Sequence, residues 1–221
     1  MNRLGGWSRN MPPVTRNLLL INVIVFLAEK LFMLKGVDLV NLLGMHYIGA
    51  DSFRIYQLVT YMFLHDPQVF AHIFFNMFAL FMFGIMLERV WGTKRFLIFY
   101  FFTGIGAGLT QQLVWYFALQ GTPHAPMLME LLVTIGASGA IFGILLAFGM
   151  LFPNIPLYII FIPIPIKAKY LVIGYAVIEL FSGISGIPGN NVANFAHLGG
   201  MIFGLILILL WRKKYGKEVY Y

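Results

Sequence analysis

Residues 133–152 read VTIGASGAIFGILLAFGMLF, twenty positions with no charge and only Thr134 and Ser138 polar. A hydrocarbon core of about 30 Å takes about 20 such residues per helix, because lipid offers an unpaired backbone group no partner. The stretch therefore reads as one membrane span. Ser138, set between Gly136-Ala137 and Gly139, is the one feature a plain lipid-facing helix does not need.

Outward from this stretch, five more segments have the same character: 17–34, 69–88, 96–119, 168–183 and 192–211. The expectation is an all-α integral membrane protein. Six transmembrane helices would form a bundle over residues 17–211, with 1–16 and 212–221 as cytoplasmic flanks. Composition agrees, at 60% hydrophobic and only 10% charged residues in a chain of 221. Cysteine is absent, which excludes disulfides, thiolate catalysis and cysteine-held zinc. Residues 153–166 are apolar too, but Pro153, Pro156, Pro163 and Pro165 cut them into pieces too short to cross. They are expected to form an interfacial loop. Arg3, Arg9 and Arg16 ahead of the first segment resemble a signal peptide, yet no small-residue cleavage site follows. The segment is read as an uncleaved first span.

The net charge of +7 falls between the apolar runs rather than on one basic-aromatic face, so nucleic acid is not an expected partner. Short cytoplasmic loops collect Lys and Arg. Twelve of the fifteen fall on one side: Arg3, Arg9, Arg16, Arg89, Lys94, Arg95, Lys167, Lys169, Arg212, Lys213, Lys214 and Lys217. Only Lys30, Lys35 and Arg54 fall on the other. Both termini are expected in the cytoplasm, with the second, fourth and sixth spans running inward. The first outer loop, about residues 36–68, carries Tyr47, Phe53, Tyr56, Tyr61 and Phe63, and is expected to lie partly in the outer leaflet. No internal repeat supports an inverted-repeat transporter.

Polar groups inside a span are costly, and each is a functional hypothesis. The second span carries His72 and Asn76, which at i and i+4 share a helix face. The fourth opens on Ser138 and the sixth on His197. With the orientation above, all four lie within about two turns of the outer surface. A lone Ser in a membrane helix ordinarily bonds its own backbone, and a lone His serves packing or proton relay as readily as catalysis. Four such residues at one depth favour a single site. Gly139 and Gly143 in the fourth span, with Ala196, Gly200 and Gly204 in the sixth, form small-residue stripes that let two backbones approach closely. That approach would bring Ser138 and His197 within reach of each other.

At these residues the chain resembles the rhomboid protease family. Gly136-Ala137-Ser138-Gly139 matches its nucleophile motif, Ala196-His197-Leu198-Gly199-Gly200 with Gly204 its histidine motif, and His72-Ile73-Phe74-Phe75-Asn76 its second-span motif. The resemblance covers all six spans. It implies a six-helix rhomboid-like bundle of the bacterial type and a Ser-His dyad without a third acid. It also implies cleavage of membrane-anchored substrates in or beside their spans, after a small residue. Two positions depart from the family pattern. Tyr56-Gln57 stands where Trp-Arg is common in the first outer loop, and Phe142 where a Tyr commonly stacks on the base.

The expected chemistry follows. Ser138 needs a base to take its proton, and neutral His197 would supply it and later protonate the leaving amine. His72, Asn76 and the Ser138 N–H are candidate oxyanion donors. No acidic third member is evident at that depth. Glu179 in the fifth span is read as a bond to a neighbouring helix or an aid to hydration, Gln111 and Gln112 as interhelical bonds, and His46, His65 and His124 as solvated loop residues. The chain lacks a His-Glu-x-x-His motif and an intraspan Asp pair, and the lysines within the six segments, Lys30 and Lys169, fall toward segment ends. No metal or cofactor is expected. Partners are transmembrane protein substrates and lipids, and the oligomeric state is left open. The expected location is a bacterial inner membrane with the site facing outward. Two alternatives remain: a client-binding pseudoprotease, whose known forms lack the dyad, and a small transporter using His197 and Glu179 as proton sites.

Overall fold

The computed structural model describes residues 11–159, 162–184 and 191–216, so Arg3, Arg9 and Lys217 of the basic clusters lie outside the described residues. In chain order the helices are α1 (Pro13–Met33), α2 (Leu39–Leu43), α3 (Gln57–Thr60), α4 (Phe70–Ala79), α5 (Ile85–Leu119), α6 (Ala125–Leu131), α7 (Ser138–Leu151), α8 (Ala168–Ile184) and α9 (Asn191–Tyr215). A π-helical turn, Leu80–Gly84, joins α4 to α5. Each of the six apolar segments falls on this helical framework. Among the described residues, two helices are long and apolar enough to cross a membrane by length and composition, Phe70–Leu119 and Asn194–Tyr215. The apolar helix α7 has 14 residues and α8 has 17.

The 50-residue stretch from Phe70 to Leu119 is not one straight rod. Gly92 takes φ 76° and ψ 162°, a left-handed conformation open to glycine and strained for other residues. The break falls between the segments read as second and third spans. Beside it, the buried Glu88 carboxylate accepts the N–H groups of Val14 and Thr15 at 2.9 and 2.7 Å, and the Thr15 hydroxyl at 2.8 Å. These N–H groups open α1, where no intrahelical carbonyl is available and an anion is favoured.

The α5, α7 and α9 helices pack together at the centre. Phe96, Phe99, Tyr100, Ile144, Phe148 and Ile208 are fully buried there, while Leu31, Phe117, Phe181 and Leu210 are more than half exposed on the outside. An apolar exterior of this extent suits lipid rather than water. Glycine sets the central spacing. A Cβ on Gly200 would overlap the Gly139 carbonyl oxygen, and one on Gly204 would lie 3.4 Å from the Gly143 Cα.

Several expectations are corrected. The 133–152 segment is helical only from Ser138: Val133–Thr134 (β2) pairs antiparallel with Met45–His46 (β1), with Met45 opposite Thr134 and His46 opposite Val133. The β-branched Val133, Thr134 and Ile135 followed by Gly136 favour extended chain there. The 153–166 region, read as an interfacial loop, contains a hairpin. Strand β3 (Pro156–Ile159) pairs with β4 (Ile162–Lys167), Leu157 lying opposite Ile166. Pro163 and Pro165 are two apart, so both missing donors fall on one edge, and a two-stranded ribbon needs donors on only one side of each strand.

The first outer loop is anchored inward more than expected. Tyr47 and Tyr61 are buried, Tyr61 donating its hydroxyl to the Gly104 carbonyl at 2.6 Å, whereas Tyr56 is exposed. Gln57, at the departure from the family pattern, is a buried staple. Its Oε1 accepts the Arg54 N–H at 3.0 Å, and its Nε2 donates to the carbonyls of Ser52 and Leu42 at 3.1 and 3.3 Å. Gln112 bonds this loop and not another helix, donating to the His46 carbonyl at 2.7 Å and accepting from the Ile48 N–H at 2.8 Å. Gln111 is fully buried, and its amide atoms have no hydrogen-bond partner among the described residues. His46 and His65 are likewise buried rather than solvated; His124 is exposed.

Candidate active site

Ser138 is the first residue of α7, so its backbone N–H lacks an intrahelical carbonyl and remains available as a donor. Ala196 and His197 lie on α9, one turn before Gly200. Because Gly139 and Gly200 put the two backbones in contact, the side chains beside them meet: His197 Nε2 lies 2.8 Å from Ser138 Oγ. The imidazole is held flat by Phe142, one turn along α7 from Ser138, with ring centroids 4.2 Å apart and planes 7° from parallel. Stacking thus survives the Tyr-to-Phe departure, and no hydroxyl accompanies it.

His72 and Asn76 stand on α4. The Asp66 N–H donates to His72 Nδ1 at 3.3 Å, which leaves Nε2 to carry the ring proton when the imidazole is neutral. That Nε2 faces Ser138 across Gly136. A Cβ built on Gly136 would lie 3.0 Å from His72 Nε2 and 3.6 Å from Ser138 Oγ. Gly136 also has φ 126°, so both its backbone and the space above it call for glycine. The narrow space beside it is flanked by a nucleophilic oxygen on one side and an N–H donor on the other. Asn76 commits one amide hydrogen to the His72 carbonyl at 2.8 Å and retains a second.

Behind His72 sits His65, its ring centroid 5.0 Å away. Burial, reinforced by the neighbouring His72 ring, holds His65 down at about 3, so it is neutral at physiological pH. The His65 N–H donates to the Glu29 carboxylate at 3.1 Å, which ties this corner to α1.

The structure thus brings Ser138 against His197 and sets His72 across Gly136 from Ser138, with Asn76 one turn along α4. Gly139, Gly143, Gly200 and Gly204 form the close contacts of α7 with its neighbours. Glu179 of α8, read as meeting a neighbouring helix, meets α9 at the site itself: its Oε2 lies 3.1 Å from His197 Nδ1, on the ring edge opposite Ser138, so an acidic side chain does stand beside the dyad. The signal available in the sequence was a carboxylate within an apolar segment, which is costly unless it meets a partner. Among the described residues, no group of three or more His, Asp or Glu side chains could hold a metal ion.

Fold and site together define an all-α membrane protein with a serine and a histidine at the crossing of two glycine-spaced helices. The chain belongs to the rhomboid family, residues 52–214 matching the rhomboid domain. It is 29% identical over 204 residues to Rhomboid-like protein 11, chloroplastic, of Arabidopsis thaliana, covering 89% of this chain and 64% of that protein. It is also 29% identical to Rhomboid protease AarA of Providencia stuartii (64% of this chain, 51% of that protein) and to Rhomboid-like protease 3 of Toxoplasma gondii (78% and 58%). The chain spans between about half and just under two thirds of the length of these relatives. As a family member it is an integral membrane protein.

Proposed function

We propose that the chain is an intramembrane serine endopeptidase that cleaves membrane-anchored proteins in or near their transmembrane segments. The observation that carries this reading is the 2.8 Å approach of His197 Nε2 to Ser138 Oγ beside an N–H donor. Ser138 Oγ attacks the scissile carbonyl carbon as its proton passes to His197 Nε2. The oxyanion is held by His72 Nε2–H and the Ser138 N–H, with the free amide hydrogen of Asn76 in support. His197 then protonates the leaving amine, and an acyl-enzyme forms on Ser138. Water then attacks that ester as His197 takes its proton, and His197 returns the proton to Ser138 Oγ as the new C-terminus leaves.

In the proposed topology six helices within residues 17–211 span the bilayer, residues 1–16 and 212–221 are cytoplasmic, and the site opens to the outer side. The Lys/Arg asymmetry supports the orientation. A 14-residue α7 is about 21 Å long, short of the roughly 30 Å hydrocarbon core, so its N-terminal Ser138 would lie below the outer surface while still reachable by water. Relatives include proteins named chloroplastic and mitochondrial as well as one from Providencia stuartii, so family membership alone does not select the bacterial inner membrane. Substrates would carry Gly, Pro or other helix-weakening residues near the outer end of their span, because a helix keeps its carbonyls in its own hydrogen bonds.

A fluorophosphonate serine probe tests the assignment. It is expected to label purified protein at Ser138, and His197→Ala is expected to prevent labelling. Labelling at another residue, or undiminished labelling of His197→Ala, would remove the basis for the reading. His72→Ala is expected to lower turnover at saturating substrate by about 10²- to 10³-fold, the usual loss for one oxyanion donor. Asn76→Ala should fall toward the lower end, since one of its amide hydrogens is already committed to the backbone. Thermal melts near wild type would accompany this result. Greatly lowered melts with lost substrate binding would instead make these residues packing groups.

A further inference from the structure

Resting on the Ser138–His197 reading, we infer that Glu179 completes a Ser138–His197–Glu179 triad built from three different helices, α7, α9 and α8. The contact is specific to the ring's geometry. Ser138 Oγ lies 2.8 Å from Nε2, and Glu179 Oε2 lies 3.1 Å from Nδ1, so the two oxygens occupy the two nitrogens of one imidazole. Phe142 covers a face of that ring and offers no polar atom. Among the described residues, Glu179 is the acceptor group placed against Nδ1.

A neutral histidine that is to take a proton at Nε2 must carry its own proton on Nδ1. A carboxylate facing Nδ1 favours that tautomer. Once the Ser138 proton has arrived the ring is a cation, and the same carboxylate lies against it while the oxyanion forms across the site. Glu179 does not itself receive the proton. The side chains of both His197 and Glu179 are 15% exposed, so solvent screens the pair only in part. In the resting geometry the Nδ1–carboxylate approach is close but not aligned as a directed hydrogen bond. Contacts of this kind commonly tighten when substrate binds. A carboxylate is expensive within an apolar helix, and catalysis gives this one a reason to be retained.

Glu179 is therefore a positioning residue, acting through His197 without touching substrate. The order along the chain, Ser–Glu–His, is that of α/β-hydrolase triads on an unrelated fold.

The test uses the full chain in detergent or vesicles with a cleavable transmembrane substrate. Glu179→Gln removes the charge at nearly constant shape and is expected to lower kcat by about 10²- to 10⁴-fold. The upper figure is the loss seen when a serine protease triad loses its carboxylate. KM should stay within about twofold, because the residue meets no substrate. Glu179→Asp keeps the charge on a shorter arm and should recover part of the lost kcat. A merely structural role would lower the melt of both variants and would not follow charge. Glu179→Gln with kcat within threefold of wild type overturns the triad. If Glu179→Gln does not fold, Glu179→Asp decides: lowered kcat at unchanged KM and melt supports the triad, and unchanged kcat overturns it. Probe labelling of wild type at Ser138 is measured alongside. Its absence would bring down the Ser138–His197 reading, whereas its presence with an active Glu179→Gln would bring down the triad alone.

Discussion

Ser138→Ala should abolish cleavage of a transmembrane substrate, with turnover falling by at least about 10⁴-fold, or about 5.5 kcal/mol of transition-state stabilisation. The size of the effect follows from the arrangement. His197 acts on substrate through a nucleophile at 2.8 Å, and among the described residues Ser138 supplies the hydroxyl that meets its Nε2. Donors that stabilise an oxyanion remain in the variant, but the atom that would generate that oxyanion is gone. Stability should change little, because the deletion removes one oxygen from a partly buried position whose side-chain hydrogen bond, among the described residues, is to His197. The measurements are product formation from a reconstituted substrate and a thermal melt. More than 1% of wild-type turnover in a folded Ser138→Ala protein would remove Ser138 as nucleophile. Loss of turnover together with loss of the melt would leave the residue structural.

The sequence bears on depth and leaves azimuth hidden. A span must be apolar and of a certain length, so hydropathy and basic loops give Ser138, His197, His72 and Asn76 one expected level. In the structure Ser138 meets His197, and His72 lies across Gly136 from Ser138. Rotation about each helix axis is a different matter. In a soluble amphipathic helix the apolar stripe marks the inward face, but a helix surrounded by lipid is apolar on every side. Nothing in the apolar pattern of α8 therefore says that Glu179 faces α9 rather than another neighbour. The loop residues were misread for a related reason. Polar side chains between spans suggest solvent, yet His46 is buried, and the loop backbone beside it finds partners in Gln57 and Gln112. His65 is buried because the chain entering α4 folds back over His72 and Glu29, a long-range contact that no local pattern encodes.

Gly200→Ala is the second change expected to have a large effect, and it tests whether helix spacing and catalysis are one property. The added methyl would overlap the Gly139 carbonyl oxygen and lie 2.8 Å from its carbon. These are backbone atoms, so no side chain can rotate away, and α7 and α9 must separate. Overpacking in a close-packed interior costs about 1–3 kcal/mol and sometimes more. Here the upper end is expected because the obstacle is a helix backbone. Ser138 adjoins Gly139 and His197 lies one turn before Gly200, so the same separation lengthens the 2.8 Å contact. A displacement of about 1 Å at reacting groups can cost about 10²-fold in rate. Gly200→Ala should therefore lower the melt and cut turnover by about a hundredfold or more in the fraction that remains folded. Two comparisons separate this from a general dislike of substitution. Gly204→Ala meets Phe99 Cζ at 3.2 Å and the Gly143 Cα at 3.4 Å, tight but farther from the site, and should lose less. Gly174 on α8 has nothing within 4 Å of an added Cβ. Gly174→Ala should leave turnover unchanged and gain about 0.5–1 kcal/mol from helix propensity. The three variants are compared by melting in detergent and by turnover at saturating substrate. Equal melts and equal turnover for Gly200→Ala and Gly174→Ala would mean that the close approach of α7 and α9 is not what holds Ser138 against His197.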